Sequence, residues 1–268
     1  MAEGEAFMGA YAVATIDLDG DEKLEVVVTS TKNSNLGVVF DGAGPVKTTM
    51  TGSAQAVLAV DLAGVMFEEV ALGISANPGQ MWSYFGGMND ALVTGPKVLL
   101  PGVCITPISM ATGLLDDDAH PDVVIACKEA GTNLFVLRGD VDGFMPSSTL
   151  ALSVAAVSVG LFDVRGEEPL DLVVVSSAGV SIFEGDKTLV FPIDPDQTVP
   201  APAARGLAAG EFHGDGYLDL AVVQPTGLAA LTFKGSAGDV GGGEAYGCES
   251  DPQDIQVVDL NDDKYEQP

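Results

Sequence analysis

The chain has 268 residues, with 39 acidic against 11 basic side chains and a net charge of −28. That excess leaves no basic patch to displace phosphate counterions, so it argues against nucleic acid and anionic membrane as partners and for cations. At 47% hydrophobic the chain is not disordered in bulk. No apolar run reaches the ~18–20 residues that span a bilayer, which argues against membrane insertion.

The N-terminus, MAEGEAFMGA, lacks the positive end and apolar stretch of a secretory signal. A cytoplasmic protein, a mature form and a fragment all fit that start. Cys104, Cys127 and Cys248 are too few, and odd in number, for a disulfide framework. Buried free thiols are expected, ahead of a Cys104–Cys127 bridge.

The first elements are short apolar runs rich in valine, at residues 11–16, 24–29, 36–40 and about 46–50, bounded by Gly, Asp, Asn and Pro. They predict strands, and no stretch of the chain carries a helical period. Between the first two runs lies the nine-residue stretch DLDGDEKLE (17–25), and its relatives recur along the chain. They are DLAGVMFEE (61–69), LLDDDAHPD (114–122), DVRGEEPLD (163–171), EFHGDGYLD (211–219) and DLNDDKYEQ (259–267). Their ninth positions are 44, 53, 49, 48 and 48 residues apart. A second marker keeps step, an apolar pair followed by x-Gly: VVFDG ending at Gly42, SYFGG at Gly87, FVLRG at Gly139, SIFEG at Gly185 and LTFKG at Gly235.

Four short strands in each unit of 40–50 residues predict an all-β fold, a β-propeller of four-stranded blades. The units run approximately over 10–53, 54–104, 105–153, 154–203 and 204–252, with a partial sixth at 253–268, and form one propeller domain. Five full repeats and a stub fit a fragment of a six- or seven-bladed ring, or a ring closed by a swapped or partner strand. Two less regular segments fall between blades. Residues 192–205 are proline-rich and expected to be extended and exposed. Residues 236–254 are glycine-rich and acidic, either a flexible tip or a loop holding a weak outer strand.

In the first loop, Asp17, Asp19, Asp21 and Glu25 occupy positions one, three, five and nine, and Lys23 at seven offers its backbone carbonyl. Acids on alternate residues of a tight turn can gather the six to eight oxygens that calcium requires. An EF-hand begins the same way but needs Glu at position twelve between two helices. Position twelve is Val28, inside a strand, which excludes it.

A D-x-D/N-x-D-x-x-x-D/E loop joining two strands of a ~48-residue unit, followed by an apolar-Phe-x-Gly strand end, resembles the FG-GAP or VCBS repeat of integrin alpha-subunit propellers and bacterial surface proteins. FVLRGDVDGF (135–144) resembles that family's turn after the third strand. The resemblance implies structural Ca2+ in some loops, with Asp116, Asp118 and Asp122 as candidates in the third loop and Glu211, Asp215 and Asp219 in the fifth. In the sixth the candidates are Asp259, Asn261 and Asp263. The second loop retains only Asp61 and Glu69. In the fourth, Arg165 stands at position three, where its cation can replace a metal by pairing with Asp163 or Asp171.

The resemblance also implies a non-enzymatic binding, adhesion or scaffold propeller outside the cell or on its surface, with a protein or glycan ligand on one face. A non-catalytic propeller region of a larger secreted enzyme and a carbohydrate-binding lectin are the alternatives. Other motifs have plainer readings. Arg138-Gly139-Asp140 coincides with the repeat's turn. His120 and His213 lie in acidic loops without a nucleophile motif. GGGEAYG (241–247) lacks the lysine and the strand-to-helix context of a phosphate loop and is read as an ordinary loop. Trp82 is read as blade core ahead of sugar platform.

Overall fold

A computed structural model describes residues 10–30, 35–39, 46–49, 53–61, 69–87, 92–100, 104–129, 131–166, 169–227, 229–248 and 250–258, with backbone alone at 35–39, 46–49 and 132–133. Twenty strands and one 3-10 turn (Pro225–Gly227) make up the regular structure of these residues. The strands form five four-stranded antiparallel sheets, each following chain order. They are β1 (Ala10–Ile16), β2 (Glu25–Ser30), β3 (Asn35–Val39) and β4 (Val46–Thr49); then β5 (Ser53–Val60), β6 (Glu69–Ser75), β7 (Gln80–Phe85) and β8 (Val93–Leu99). The third sheet holds β9 (Pro107–Gly113), β10 (Asp122–Cys127), β11 (Gly131–Asp140) and β12 (Gly143–Leu152). The fourth holds β13 (Ala156–Phe162), β14 (Asp171–Ser176), β15 (Gly179–Phe183) and β16 (Gln197–Val199), and the fifth β17 (Arg205–Gly210), β18 (Asp219–Gln224), β19 (Ala229–Ser236) and β20 (Asp239–Gly247).

Short meanders of this kind are propeller blades, as the repeat predicts. The second strand of each blade explains the continuous valine runs. Every residue of β10 and β14 is buried, so both faces are covered and no polar alternation is required. First strands share a further device. The pairing of β1, β5, β13 and β17 with their second strands is interrupted near its start, at Ala10/Val13, Ala54/Ala56, Ala156/Ser158 and Arg205/Ala208. Such bulges increase the local twist of a strand.

The chain divides into two compact units, residues 1–112 with 118–149, and residues 113–117 with 150–268. In the first unit, Ile16, Leu18, Val27, Val70, Leu72 and Tyr84 pack the first blade against the second. Met81, Leu100, Val123, Ile125, Phe135 and Phe144 pack the second against the third. In the second unit, Val173, Val175, Ile182, Leu220, Val222 and Phe233 lie between the fourth and fifth blades.

Two expectations are corrected, the free thiols and the placement of the two less regular segments between blades. Cys104 and Cys127 form a disulfide, with Cα atoms 5.5 Å apart, where the composition argued for free thiols. Both sit in the core between the second and third blades, and packing brings together two residues 23 apart in sequence. The proline-rich stretch 192–205 is no simple connector, because β16 lies within it and completes the fourth blade. The glycine-rich stretch supplies β20, so the outer-strand alternative is the one realised, and GGGEAYG is strand. Trp82 is core at 4% exposure, its indole N–H bonded to Gln80 Oε1 at 2.7 Å and the Lys97 ammonium 3.4 Å from its ring centre. That burial removes it as a sugar platform.

Candidate functional site

In each of the five described blades the acidic loop is the connection from the first to the second strand, and its ninth residue opens the second strand. These residues, Glu25, Glu69, Asp122, Asp171 and Asp219, are at most 1% exposed. A carboxylate buried that deeply must be hydrogen-bonded or paired. Asp219 shows how. Its Oδ2 accepts the backbone N–H groups of Phe212 (2.7 Å) and His213 (3.1 Å) from its own loop, while Oδ1 accepts the N–H of Gly235 on β19 (2.8 Å). Asp122 accepts Gly139 N–H on β11 at 2.9 Å, and Asp171 accepts Gly185 N–H at 3.4 Å. Glu25 takes the N–H of Leu18 at 2.7 Å.

In the third, fourth and fifth blades the two markers that keep step in the sequence are therefore donor and acceptor of one hydrogen bond. The glycine is required because a Cβ at Gly139, Gly185 or Gly235 would lie 2.1–2.2 Å from the carbonyl oxygen of Pro121, Leu170 or Leu218, the eighth residue of the same loop. In the second blade the marker is displaced. Val70 pairs with Tyr84 and Glu69 with Phe85, so Gly86 and not Gly87 stands in the corresponding place. The displacement accompanies glutamate, one methylene longer, at the ninth position. The corresponding end of the first blade, residues 40–42, lies outside the described residues.

In the first loop, one carboxylate oxygen from each of Asp17, Asp19 and Asp21 lies within 4.8 Å of the other two. Two oxygens ~2.4 Å from a shared calcium ion can be at most ~4.8 Å apart, so the spacing suits that ion. Three hard oxygen donors without nitrogen or sulfur suit Ca2+ ahead of zinc or copper. The turn is built by Asp17, whose Oδ1 accepts Gly20 N–H (2.8 Å) and Asp21 N–H (3.2 Å) and whose Oδ2 accepts Glu22 N–H (3.0 Å). Gly20 (φ 76°) and Glu22 (φ 66°) adopt left-handed backbone to allow it. The Lys23 ammonium lies 3.1 Å from Asp21 Oδ2 and holds that carboxyl below its ordinary range. Glu25 is apart from the three, turned inward. Burial raises its pKa against the opposing Leu18 N–H, and the charges of Asp19, Asp17 and Asp21 raise it further.

The later loops are organised around protein cations. In the third, Arg138 of β11 reaches Asp118 Oδ2 at 2.8 Å. Burial raises the Asp118 pKa, but the His120 N–H and Arg138 outweigh it and leave the group below its ordinary value. Asp116 lies in the bend of residues 116–120. In the fourth, Arg165 meets Asp171 through Nε (3.1 Å) and Nη2 (2.5 Å), and Nη1 reaches Glu184 at 3.2 Å. The expected metal-replacing pair is thus formed with Asp171, whose hydrogen bonds raise the guanidinium pKa above its ordinary value. In the fifth, Lys234 of β19 meets Asp215 at 2.9 Å, lowering the carboxyl and raising the ammonium. His213 Nδ1 lies 2.8 Å from Asp219 Oδ2, and Glu211 Oε1 accepts the N–H groups of Gly214 and Asp215.

Among the described residues only the first loop gathers three candidate ligand groups. The loops of the third and fifth blades do not converge in that way. Asp259, Asn261 and Asp263 of the sixth lie outside the described residues. One participant was missed in the sequence, the apolar second position. Leu18, Leu115 and Val164 are buried beneath their loops. The signal was there, since Leu, Val or Phe fills that place in every loop.

The blades define the class, an all-β propeller of four-stranded sheets. No protein-family model matches the chain, and no curated protein matches it. Among solved structures it is similar to BBS1N, crystallised in complex with ARL6DN, at 10% identity and a TM-score of 0.69, covering 97% of this chain and 76% of that one. It is similar to virginiamycin B lyase from Staphylococcus aureus at 14% identity and a TM-score of 0.61, covering 92% and 73%. A lectin from Agrocybe aegerita that recognises non-reducing terminal N-acetylglucosamine is similar at 14% identity and 0.56, covering 89% and 66%. At these identities the likeness concerns the fold.

Proposed function

We propose that the protein is a non-enzymatic binding or scaffold propeller of the FG-GAP or VCBS kind, working outside the cell or on its surface, whose first loop takes a structural Ca2+. The observation that carries this is the convergence of Asp17, Asp19 and Asp21 within 4.8 Å. Their carboxylates would hold the ion together with the Lys23 carbonyl. The ion supplies neutralisation of like charges crowded into one turn. The Cys104–Cys127 bridge supports an oxidising compartment. The partner is a protein with a basic surface, which a chain of net charge −28 attracts from a distance. BBS1N, similar in fold, is itself seen in complex with a protein. A lectin reading loses its aromatic platform with the burial of Trp82.

Binding at 10⁻⁴–10⁻³ M, usual for extracellular calcium modules, adds about 1 kcal/mol at millimolar calcium. In a chain this long that raises Tm by roughly 2–4 °C. The test is a thermal melt with calcium and with chelator, on the native protein and on Asp19→Ala. Calcium should raise Tm in the first only. An equal rise in both defeats the assignment.

A further inference from the structure

We infer that the loops of the third, fourth and fifth blades carry their own counter-charge and fold without metal, the residues at the end of the third strand acting as built-in cations or as their complement. Arg138, Glu184 and Lys234 each stand between the apolar residue and the glycine of the x-Gly marker. Each reaches back to the loop of its own blade. Arg138 meets Asp118 and Lys234 meets Asp215, in both cases the acid at position five. In the fourth blade the polarity is inverted. The loop carries the cation, Arg165 at position three, and the marker carries the acid, Glu184, 3.2 Å from it.

A solvated acidic turn has no reason to alternate in this way. If the contacts were incidental, the sign at the marker would be indifferent to the sign in the loop. Instead it reverses where the loop presents a cation, Arg165, to the marker in place of an acid, which is the behaviour of a locally paired site. The ninth carboxylates are likewise engaged by the protein: Asp122 and Asp219 give an oxygen to the marker N–H, and Asp171 is held by Arg165 and by Gly185 N–H. What separates the first loop is the convergence of its three aspartates within 4.8 Å, which no other described loop repeats. In the fifth loop Asp219 also holds His213. Among the first, third, fourth and fifth loops, metal demand is thereby confined to the first, a count that rests on the function proposed above. The independence of the other three loops does not.

Two measurements test this on the full chain. The first counts bound calcium by equilibrium dialysis at 2 mM free Ca2+, a concentration at the order of extracellular affinities. Asp19→Ala is expected to bind one ion fewer than the native protein, and Asp118→Ala and Asp215→Ala the same number as the native protein. No ion in any of them leaves the inference standing and defeats the calcium reading of the first loop. Any ion retained by Asp19→Ala and released by Asp118→Ala or Asp215→Ala overturns the inference. The second measures urea unfolding in chelator at low salt for Lys234→Ala, Lys234→Arg and Arg138→Ala. Both alanine variants should show an unfolding constant roughly two- to fivefold larger, as exposed ion pairs allow, with the difference shrinking in 0.5 M NaCl and absent in Lys234→Arg. Alanine variants as stable as the native protein in low salt would show that the cations neutralise nothing and would overturn it.

Discussion

Asp219 and Gly235 are joined by a 2.8 Å hydrogen bond from the glycine N–H to the carboxylate, tying the first connection of the fifth blade to the end of its third strand. The same glycine leaves no room for a side chain, because a Cβ would stand 2.1 Å from the Leu218 carbonyl oxygen. Backbone cannot yield as a flexible side chain does. Gly235→Ala is therefore expected to destabilise by about 2–3 kcal/mol, combining overpacking with a lengthened bond. Gly247→Ala, where nothing lies within 4 Å of the added carbon, is the control and should be near neutral. Urea denaturation of the two variants makes the comparison.

Arg165 and Asp171 make the second prediction. Asp171 is fully buried and Arg165 largely so, with side-chain exposures of 0% and 17%. Removing one partner of such a pair strands the other charge, at a cost of about 3–5 kcal/mol, whereas replacing both by apolar groups is often tolerated. Arg165→Met should lose stability on that scale, and Arg165→Met with Asp171→Leu should recover most of it. The recovery falls short by the hydrogen bond that Asp171 accepts from Gly185 N–H. Chemical denaturation of the set reads both effects.

The blade pattern was legible because it needs only local information. Valine runs bounded by turn residues give strands, and a period near 48 residues gives the repeat. The candidate metal ligands were less legible, since composition marks acids without showing which way they turn. Asp17, Asp19 and Asp21 converge as their alternation suggests, but Glu25 is drawn inward by the Leu18 N–H. Charge partners from another strand, such as Lys234 for Asp215, become visible only once register is known. The Cys104–Cys127 bridge was missed for the same reason, because its proximity is created by packing between blades.

Glu129 links acid stability to that bridge. Its carboxylate accepts the N–H groups of Ile105 (3.0 Å) and Thr106 (3.1 Å), next to Cys104. Burial raises its pKa, but these donors and the Thr106 hydroxyl outweigh that and leave it below the ordinary 4.5. A carboxyl lowered in the folded state contributes stability that is present above its unfolded pKa and is lost as pH falls through the folded one. Native protein should accordingly lose more stability between pH 6 and pH 3 than Glu129→Gln, whose side chain does not titrate. Unfolding free energies across that range decide it, and parallel curves would remove Glu129 from the acid response.

Cys104 and Cys127 close a loop of 23 residues in sequence separation. In the chain-entropy account, a loop of that length stabilises the folded state by about 3 kcal/mol by restricting the unfolded chain. Cys104→Ala with Cys127→Ala should fall by that amount, and a reductant should destabilise the native protein but leave the double variant unchanged. Both sulfurs are buried, so reduction should be slow under native conditions and rapid in moderate urea. Labelling of thiols with time, with and without urea, follows the exposure directly.

Lys23 would compete with the calcium proposed for the first loop. Its ammonium holds Asp21 at 3.1 Å, with side-chain exposures of 58% and 40%, so an arriving ion must displace it or bear its repulsion. Removing a neighbouring positive charge should tighten cation binding about three- to fivefold, as expected for an exposed charge a few ångströms from a divalent ion. Lys23→Ala is therefore predicted to bind Ca2+ more tightly than the native chain while being no more stable in chelator. The position donates only its backbone carbonyl to the proposed ligand set, and alanine preserves that oxygen. Lys23→Glu should extend the trend, and 0.5 M NaCl should compress the three affinities toward one another by screening. Calorimetric titration of the three proteins at two salt concentrations measures this. An unchanged or weakened affinity in Lys23→Ala would mean that the ion does not sit beside Asp21.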